Sequence, residues 1–319
     1  MQHIKHFNQL SKKDVSIAGG KGASLGEMSR LRLGSGAQAN IVPPGFVVLA
    51  TAFDRFLKET DLDVEIESIL KKVNKKDLNS VEKASSEIRA LMFKTKMPAD
   101  LSLEIQTNFK KLKTKFVAVR SSATAEDSKT ASWAGELETY LNVTEKDVAK
   151  QVLKCWSSLF TPRAIFYRIE KKLHKHKVSV AVVVQKMIQS EISGITFTVH
   201  PVTKDKNQMV LEAAFGLGEA IVGGMVTPDT YVVHKNDFSI LDINVSEQTF
   251  GIFKTAHGNK NKKFSKSQGG KQKLTGRQII ELAKICKSIE NHYKLPQDIE
   301  WAFEKGKFYI TQSRPITTL

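Results

Sequence analysis

Asp298-Ile299-Glu300-Trp301-Ala302-Phe303, the turn Glu304-Lys305-Gly306-Lys307, and Phe308-Tyr309-Ile310-Thr311-Gln312-Ser313-Arg314 form one legible unit near the end of this 319-residue sequence. Asp298, Glu300 and Ala302 alternate with Ile299, Trp301 and Phe303, the period of a half-buried strand. A glycine turn and a second apolar run make the whole segment a predicted hairpin. The Glu300 carboxylate and the Gln312 amide oxygen, carried on adjacent strands, are hard oxygens that can share one Mg²⁺ and leave positions for water and phosphate. Arg314 lies two residues past Gln312, on the same side. A solvated polar face is the alternative reading of the same pattern.

Upstream of this hairpin the sequence spells a long helix. It opens with the capping box Thr275-x-x-Gln278 and buries Ile279, Leu282, Cys286, Ile289 and Tyr293. Before it come predicted strands at Val178–Met187, Gly194–Val199, Met209–Ala214 and Thr230–His234, separated by Gly, Pro, Asp and Asn turns. Two helices precede these, the first capped by Thr144 and the second restarting at Thr161-Pro162. Phe116-Val117-Ala118-Val119 reads as a buried strand. The first ~115 residues are mixed and mostly helical, including a helix that Thr51 caps and that packs Phe53, Phe56 and Leu57. Helices early and strands late give an α+β chain, divided here into a helical and mixed part, 1–115, and a β-rich part, 116–319.

Composition narrows the class. Hydrophobic content of 41% with 26% charged residues is that of a soluble globular protein able to bury a substantial core. No apolar run is long enough to span a membrane and the start has no signal core, so a cytoplasmic protein is expected. Cys155 and Cys286 both fall in amphipathic helices, which suits small buried side chains better than a bridge or a metal site. The net charge of +16 attracts polyanions. Its lysines are scattered, however, and the densest run, Lys254 to Lys273, sits among Gly, Asn, Ser and Gln and reads as a mobile solvated loop. Nucleic-acid binding is therefore not expected as the function.

Three further segments carry chemistry. Gly19-Gly20-Lys21-Gly22 puts a lysine and free backbone N–H groups where the apolar-periodic run Leu25, Met28, Leu31 begins. That is an anion site in outline, or else a turn with an exposed lysine. It is not a Walker loop, since Val15 and Gly22 stand where Gly and Ser or Thr are needed. Arg120-Ser121-Ser122-Ala123-Thr124 offers a cationic fork and hydroxyls to a polyphosphate, and Gly135 further on could let backbone lie over the phosphates. A Ser/Thr-rich capping loop would look the same. Gln185 ends the apolar run Val180-Ala181-Val182-Val183-Val184, either where an adenine edge could bond or where solvent begins.

Taken together, Gly-Gly-Lys-Gly-Ala-Ser-Leu-Gly-Glu-Met, Val-Pro-Pro-Gly-Phe, Val-Arg-Ser-Ser-Ala-Thr-Ala-Glu-Asp, Gly-Leu-Gly-Glu-Ala-Ile-Val-Gly-Gly and Gln-Asp-Ile-Glu-Trp closing on Gln-Ser-Arg-Pro resemble the N-terminal ATP-binding domain of the phosphoenolpyruvate synthase and pyruvate phosphate dikinase family, shared with rifampin phosphotransferase. The resemblance runs over essentially the whole chain in the same order. It implies an ATP-grasp-like, two-lobed nucleotide-binding domain with mixed or antiparallel sheets. It implies ATP and Mg²⁺ as cofactors, with Lys21 and Arg120 on the phosphates, Gly135 and Thr139 in the phosphate-covering loop, and Gln185 at the adenine. Glu300 and Gln312 would bind magnesium and the phosphates it bridges, and Arg314 would stabilise charge developing during transfer. His200, in Phe197-Thr198-Val199-His200-Pro201, stands where the family usually has Asp or Asn.

The activity implied is transfer of phosphate from ATP to a histidine on a separate domain or partner. None of the eight histidines lies in the Thr-Ser-His or Thr-Cys-His context that the family uses for its carrier. The reading closest to the motifs is phosphoenolpyruvate synthase. A rifampin-phosphotransferase-like enzyme and a non-catalytic nucleotide-binding module are the alternatives.

Overall fold

The computed structural model of the chain describes residues 2–33, 37–38, 41–74, 76–124, 138–171, 178–255 and 258–316. The chain folds as two compact units, Met1–Glu27 with Pro44–Met187, and Met28–Pro43 with Ile188–Leu319. The division does not fall at residue 115. Strand Val117–Ala123 pairs with Val180–Lys186, which pairs in turn with Gly45–Val48, so one sheet ties the early and middle segments together.

The sheet of the first unit runs, in spatial order, Ile4–His6, Gly45–Val48, Val180–Lys186, Val117–Ala123 and Thr139–Val143, all antiparallel. Val117, Val119 and Ala123 alternate with Ala118, Arg120 and Ser122. The first set, with Val180, Val182 and Val184, enters a core built on helices Ala50–Glu59, Leu78–Lys94, Ala99–Lys111 and Val148–Ser157. Phe56 stacks on Trp156 with ring centroids 5.3 Å apart, both rings fully buried. Truncating either to alanine costs about 3–5 kcal/mol. The caps read from sequence hold in part. Thr161 accepts from the Ala164 N–H with Pro162 in the first turn. Helix Ala50–Glu59 instead follows Leu49, with Thr51 inside it, and helix Val148–Ser157 follows Asp147, whose carboxylate accepts from the Thr144 hydroxyl at 2.7 Å.

The second unit holds a six-stranded sheet in the order Ile240–Asn244, Asp229–His234, Gln208–Phe215, Ile192–Phe197, Gln297–Glu304 and Lys307–Pro315, again antiparallel throughout. Helix Gly276–Tyr293 packs on it, and its Thr275–Gln278 capping box is present as expected. The α+β class with antiparallel sheets is thus what the structure has. Both cysteines are buried and free.

The described residues between Lys254 and Lys273 are not all loop. Phe250–Thr255 and Gly258–Lys263 pair as an antiparallel hairpin, and a short helix, Lys266–Gly269, follows. The lysine count of one strand obscured the apolar Phe250-Gly251-Ile252-Phe253 of the other, where Phe253 meets Phe264 edge-on. Lys273 itself is fully buried in an ion pair with Asp229 at 2.8 Å. The His200 turn keeps its shape because Nδ1 accepts from the Val202 and Thr203 N–H groups at 3.3 and 3.2 Å, the bonds an Asp or Asn oxygen makes in such turns. Among the described residues no helix is long and apolar enough to cross a membrane.

Candidate functional site

In the first unit, the face of the sheet turned away from the core collects the residues singled out in sequence. Directly paired residues of antiparallel strands share a face. Arg120 pairs with Thr139 on one side and Val183 on the other, and Ala118, two residues earlier, pairs with Gln185. Arg120, Thr139 and Gln185 are therefore on one face: Thr139 exposed, Arg120 half-buried, Gln185 only 2% exposed.

The glycine loop packs on the same face. Helix Val15–Met28 is broken at Gly19, whose φ of 68° and ψ of 172° are non-helical. The break starts a second helical segment that carries the half-buried Lys21 in its first turn. A Cβ at Gly19 would lie 2.2 Å from Ser122 Oγ, so only glycine allows this approach. Ser122 Oγ donates to the Ala18 carbonyl at 2.9 Å and accepts from the Gly22 N–H at 3.2 Å. Sheet register thus sets Arg120, Thr139 and Gln185 on one face, and Ser122 anchors there the helical turn that carries Lys21. Gly135 lies outside the described residues.

The hydroxyls of the Arg120 segment do other work than that expected. Ser121 is on the core face, within bonding distance of the Glu138 and Cys155 carbonyls and Ser158 Oγ. Ser122 is the glycine-loop anchor, and Thr124 donates to the Ser179 carbonyl. Strand alternation assigns Ser121 and Ser122 to opposite faces, and each finds a backbone partner there.

In the second unit, Glu300 pairs with Gln312 and Asp298 with Arg314. A β-bulge makes this possible. Glu300 is opposite Gln312 but Trp301 is opposite Ile310, leaving Thr311 as the extra residue. Simple alternation from the buried Phe308 and Ile310 would place Gln312 on the apolar face; the bulge returns it and Arg314 to the polar one. The next strands continue the row, Glu300 opposite Ile195 and Ile195 opposite Glu212. Arg314 donates to Asp298 Oδ2 from Nε at 2.8 Å and Nη2 at 2.7 Å.

This face carries Glu212, Asp298 and Glu300 against one guanidinium. Burial pushes the Asp298 carboxyl above its ordinary range, the Arg314 pair opposes this, and the Glu300 charge adds to the rise. Burial, then the Asp298 charge, pushes Glu212 up as well. Excess negative charge on a half-buried face of hard oxygens, with no histidine or thiol among them, fits a hard divalent cation. Among the described residues no three His, Cys, Asp or Glu side chains converge into a ready-made cage. Asp298 and Glu212 escaped the sequence-based site; their signals were an acid two residues from Glu300 and a lone acid in the apolar run Met209–Ala214. A cavity of about 1140 Å³ under Phe53, Leu57, Ile66 and Phe160 carries none of these residues.

D-alanine–D-alanine ligase from Helicobacter pylori overlaps 67% of this chain and 46% of its own length at 13% identity with a TM-score of 0.27, too loose for residue correspondence. A probable phosphoenolpyruvate synthase of Methanocaldococcus jannaschii is 46% identical over the whole of this chain, which covers 27% of that protein. Rifampicin phosphotransferase of Bacillus subtilis is 36% identical over 98% of this chain and is itself covered to 36%. The chain thus spans well under half the length of these curated relatives. The family model described as pyruvate phosphate dikinase, AMP/ATP-binding domain, matches residues 15–319, and the chain belongs to that family.

Proposed function

We propose that this chain binds ATP with Mg²⁺ and serves as the nucleotide-binding part of a phosphotransferase that passes a phosphoryl group to a histidine on another domain or partner. The overall reaction most in keeping with it is that of phosphoenolpyruvate synthase, ATP, pyruvate and water giving phosphoenolpyruvate, AMP and phosphate. The observation that carries the reading is the register. Arg120, Thr139 and Gln185 share one face of one sheet, with the helical turn of Lys21 anchored there through Ser122, and Glu300, Gln312, Asp298 and Arg314 share one face of the other.

In this reading Lys21 and Arg120 neutralise phosphate oxygens, helped by the N-terminus of the helical segment after Gly19. Gln185 presents an amide to the adenine edge beside the aliphatic Val183 and Ala181. Asp298, Glu300 and Gln312 supply the oxygens for Mg²⁺, which when bound draws off the charge of the phosphates. Arg314, held by Asp298, faces the group being transferred. Positioning and charge neutralisation account for most of the catalysis in phosphoryl transfer, so no nucleophile is required of this chain. The greater identity to the phosphoenolpyruvate synthase relative than to the rifampicin phosphotransferase, 46% against 36%, favours pyruvate as the final acceptor.

The test is incubation of the chain with β- or γ-labelled ATP, Mg²⁺ and a histidine-carrier domain of a phosphoenolpyruvate synthase. The histidine takes the β- and γ-phosphates together, which leaves AMP, and water then releases the γ-phosphate, so acid-labile β-label on the carrier with AMP and inorganic phosphate is the expected result. ADP as the sole nucleotide product, or no label on the carrier despite tight ATP binding, would overturn the proposal.

A further inference from the structure

Thr139 begins strand Thr139–Val143 on the face that carries Arg120, and the residue before it is held from the opposite side. The Glu138 carbonyl accepts from Ser121 N at 3.2 Å and from Ser121 Oγ at 3.0 Å. Its carboxylate accepts from Arg89 Nη2 at 3.0 Å on one oxygen and from the Tyr140 hydroxyl on the other. Both partners are themselves fixed. Arg89 stacks its guanidinium over Phe93, and Lys154 lies 5.2 Å above the Tyr140 ring. Ser121 Oγ is tied in turn to Cys155 and Ser158.

Glu138 is therefore gripped by backbone and side chain from helix Leu78–Lys94 and from the strands on both sides of the Arg120–Thr139 pair. A half-exposed ion pair such as Arg89–Glu138, with side chains 26% and 30% exposed, adds little to stability by itself. Its geometric effect is larger. With the Glu138 carbonyl bonded to Ser121 and its carboxylate held on the core side, the following peptide is fixed, and the Thr139 side chain falls on the face that carries Arg120.

We infer that Arg89, Glu138 and Tyr140 form a positioning clamp that aims Thr139, together with Arg120, at the phosphates of the bound nucleotide. The clamp touches no ligand and acts through Thr139. The inference rests on the proposed function above, in which Arg120 and Thr139 meet the phosphates.

The experiment is calorimetric titration of the chain with MgATP and, separately, with AMP, for wild type, Arg89→Ala, Arg89→Lys, Glu138→Gln, Tyr140→Phe and Thr139→Ala, with thermal melts of each. Arg89→Ala and Glu138→Gln are expected to weaken MgATP about fivefold, as loss of one oriented hydrogen bond does. AMP, which lacks the outer phosphates, is expected to change by less than about twofold. Arg89→Lys restores most of the MgATP affinity, and Tyr140→Phe gives a smaller loss of the same kind. Equal losses for MgATP and AMP would mean general loosening, and unchanged MgATP affinity in Arg89→Ala and Glu138→Gln would mean a surface ion pair; either overturns the clamp. If Thr139→Ala weakens MgATP while the clamp variants do not, only this inference fails. If wild type binds no nucleotide, the proposed function fails first and the clamp with it.

Discussion

Gln312 faces Glu300 because Thr311 is an extra residue between Gln312 and Ile310, its hydroxyl donating to the Glu300 carbonyl at 3.2 Å. Were Thr311 to enter the ladder instead, plain alternation would set it opposite Glu300 and turn Gln312 and Arg314 toward the apolar side that holds Ile310 and Phe308.

Deleting Thr311 removes the extra residue yet keeps Gln312 opposite Glu300 and Arg314 opposite Asp298, so MgATP affinity is expected to change by less than about threefold. Thr311→Val keeps the residue count and loses only the hydroxyl bond, at a cost of about 1 kcal/mol. Calorimetry and thermal melts on the two variants separate register from hydrogen bonding.

The carboxylates beside this pair set a pH dependence. Asp298 and Glu212 both have their carboxyls raised, chiefly by burial. The folded protein then holds these protons more tightly than the unfolded chain, so stability falls as pH rises through the ordinary carboxylate range toward the raised folded values. Glu212→Gln removes one of the charges and is expected to raise the Tm of the nucleotide- and Mg²⁺-free protein by about a degree or two at neutral pH. The gain should vanish below the carboxylate range, where wild type is also protonated. Melting curves between pH 3 and 8, a range set by the carboxylate values of about 4, check both the sign and the window.

Gly19 is a second sensitive point. Its left-handed φ and the 2.2 Å approach of a Cβ to Ser122 make Gly19→Ala strained twice over. The variant is expected to lose about 2 kcal/mol or more of stability, since neither conformation nor contact can relax cheaply. The Gly22 to Ser122 bond would break with it. Denaturant unfolding measures the loss, and Ser122→Ala, which removes the anchor but not the space, should cost less.

Much of this could be read from the residues alone. The last hairpin follows from the alternation around Glu300 and the Gly306 turn, and the Thr275 and Thr161 caps follow from local chemistry. The bulge at Thr311 leaves no mark in composition, since it depends on what Ile310 and Gln312 each meet across the sheet. The true tasks of Ser121 and Ser122 were hidden for a related reason. Which face each takes is set by the register of Val117–Ala123, and the partner of Ser122, Ala18, is more than a hundred residues away in sequence. The hairpin at Phe250–Lys263 was masked by its own lysines, which line one exposed strand while Phe250, Ile252 and Phe253 decide the fold of the other.

The central claim, that the chain binds ATP with Mg²⁺ and that Arg120 and Glu300 each take part, is most directly tested by calorimetric titration of wild type, Arg120→Ala and Glu300→Ala with ATP, each with and without Mg²⁺. One MgATP should bind wild type, each substitution should weaken it by about tenfold or more, and Glu300→Ala should also lose the dependence on Mg²⁺. MgATP binding of unchanged affinity in both variants would contradict the claim.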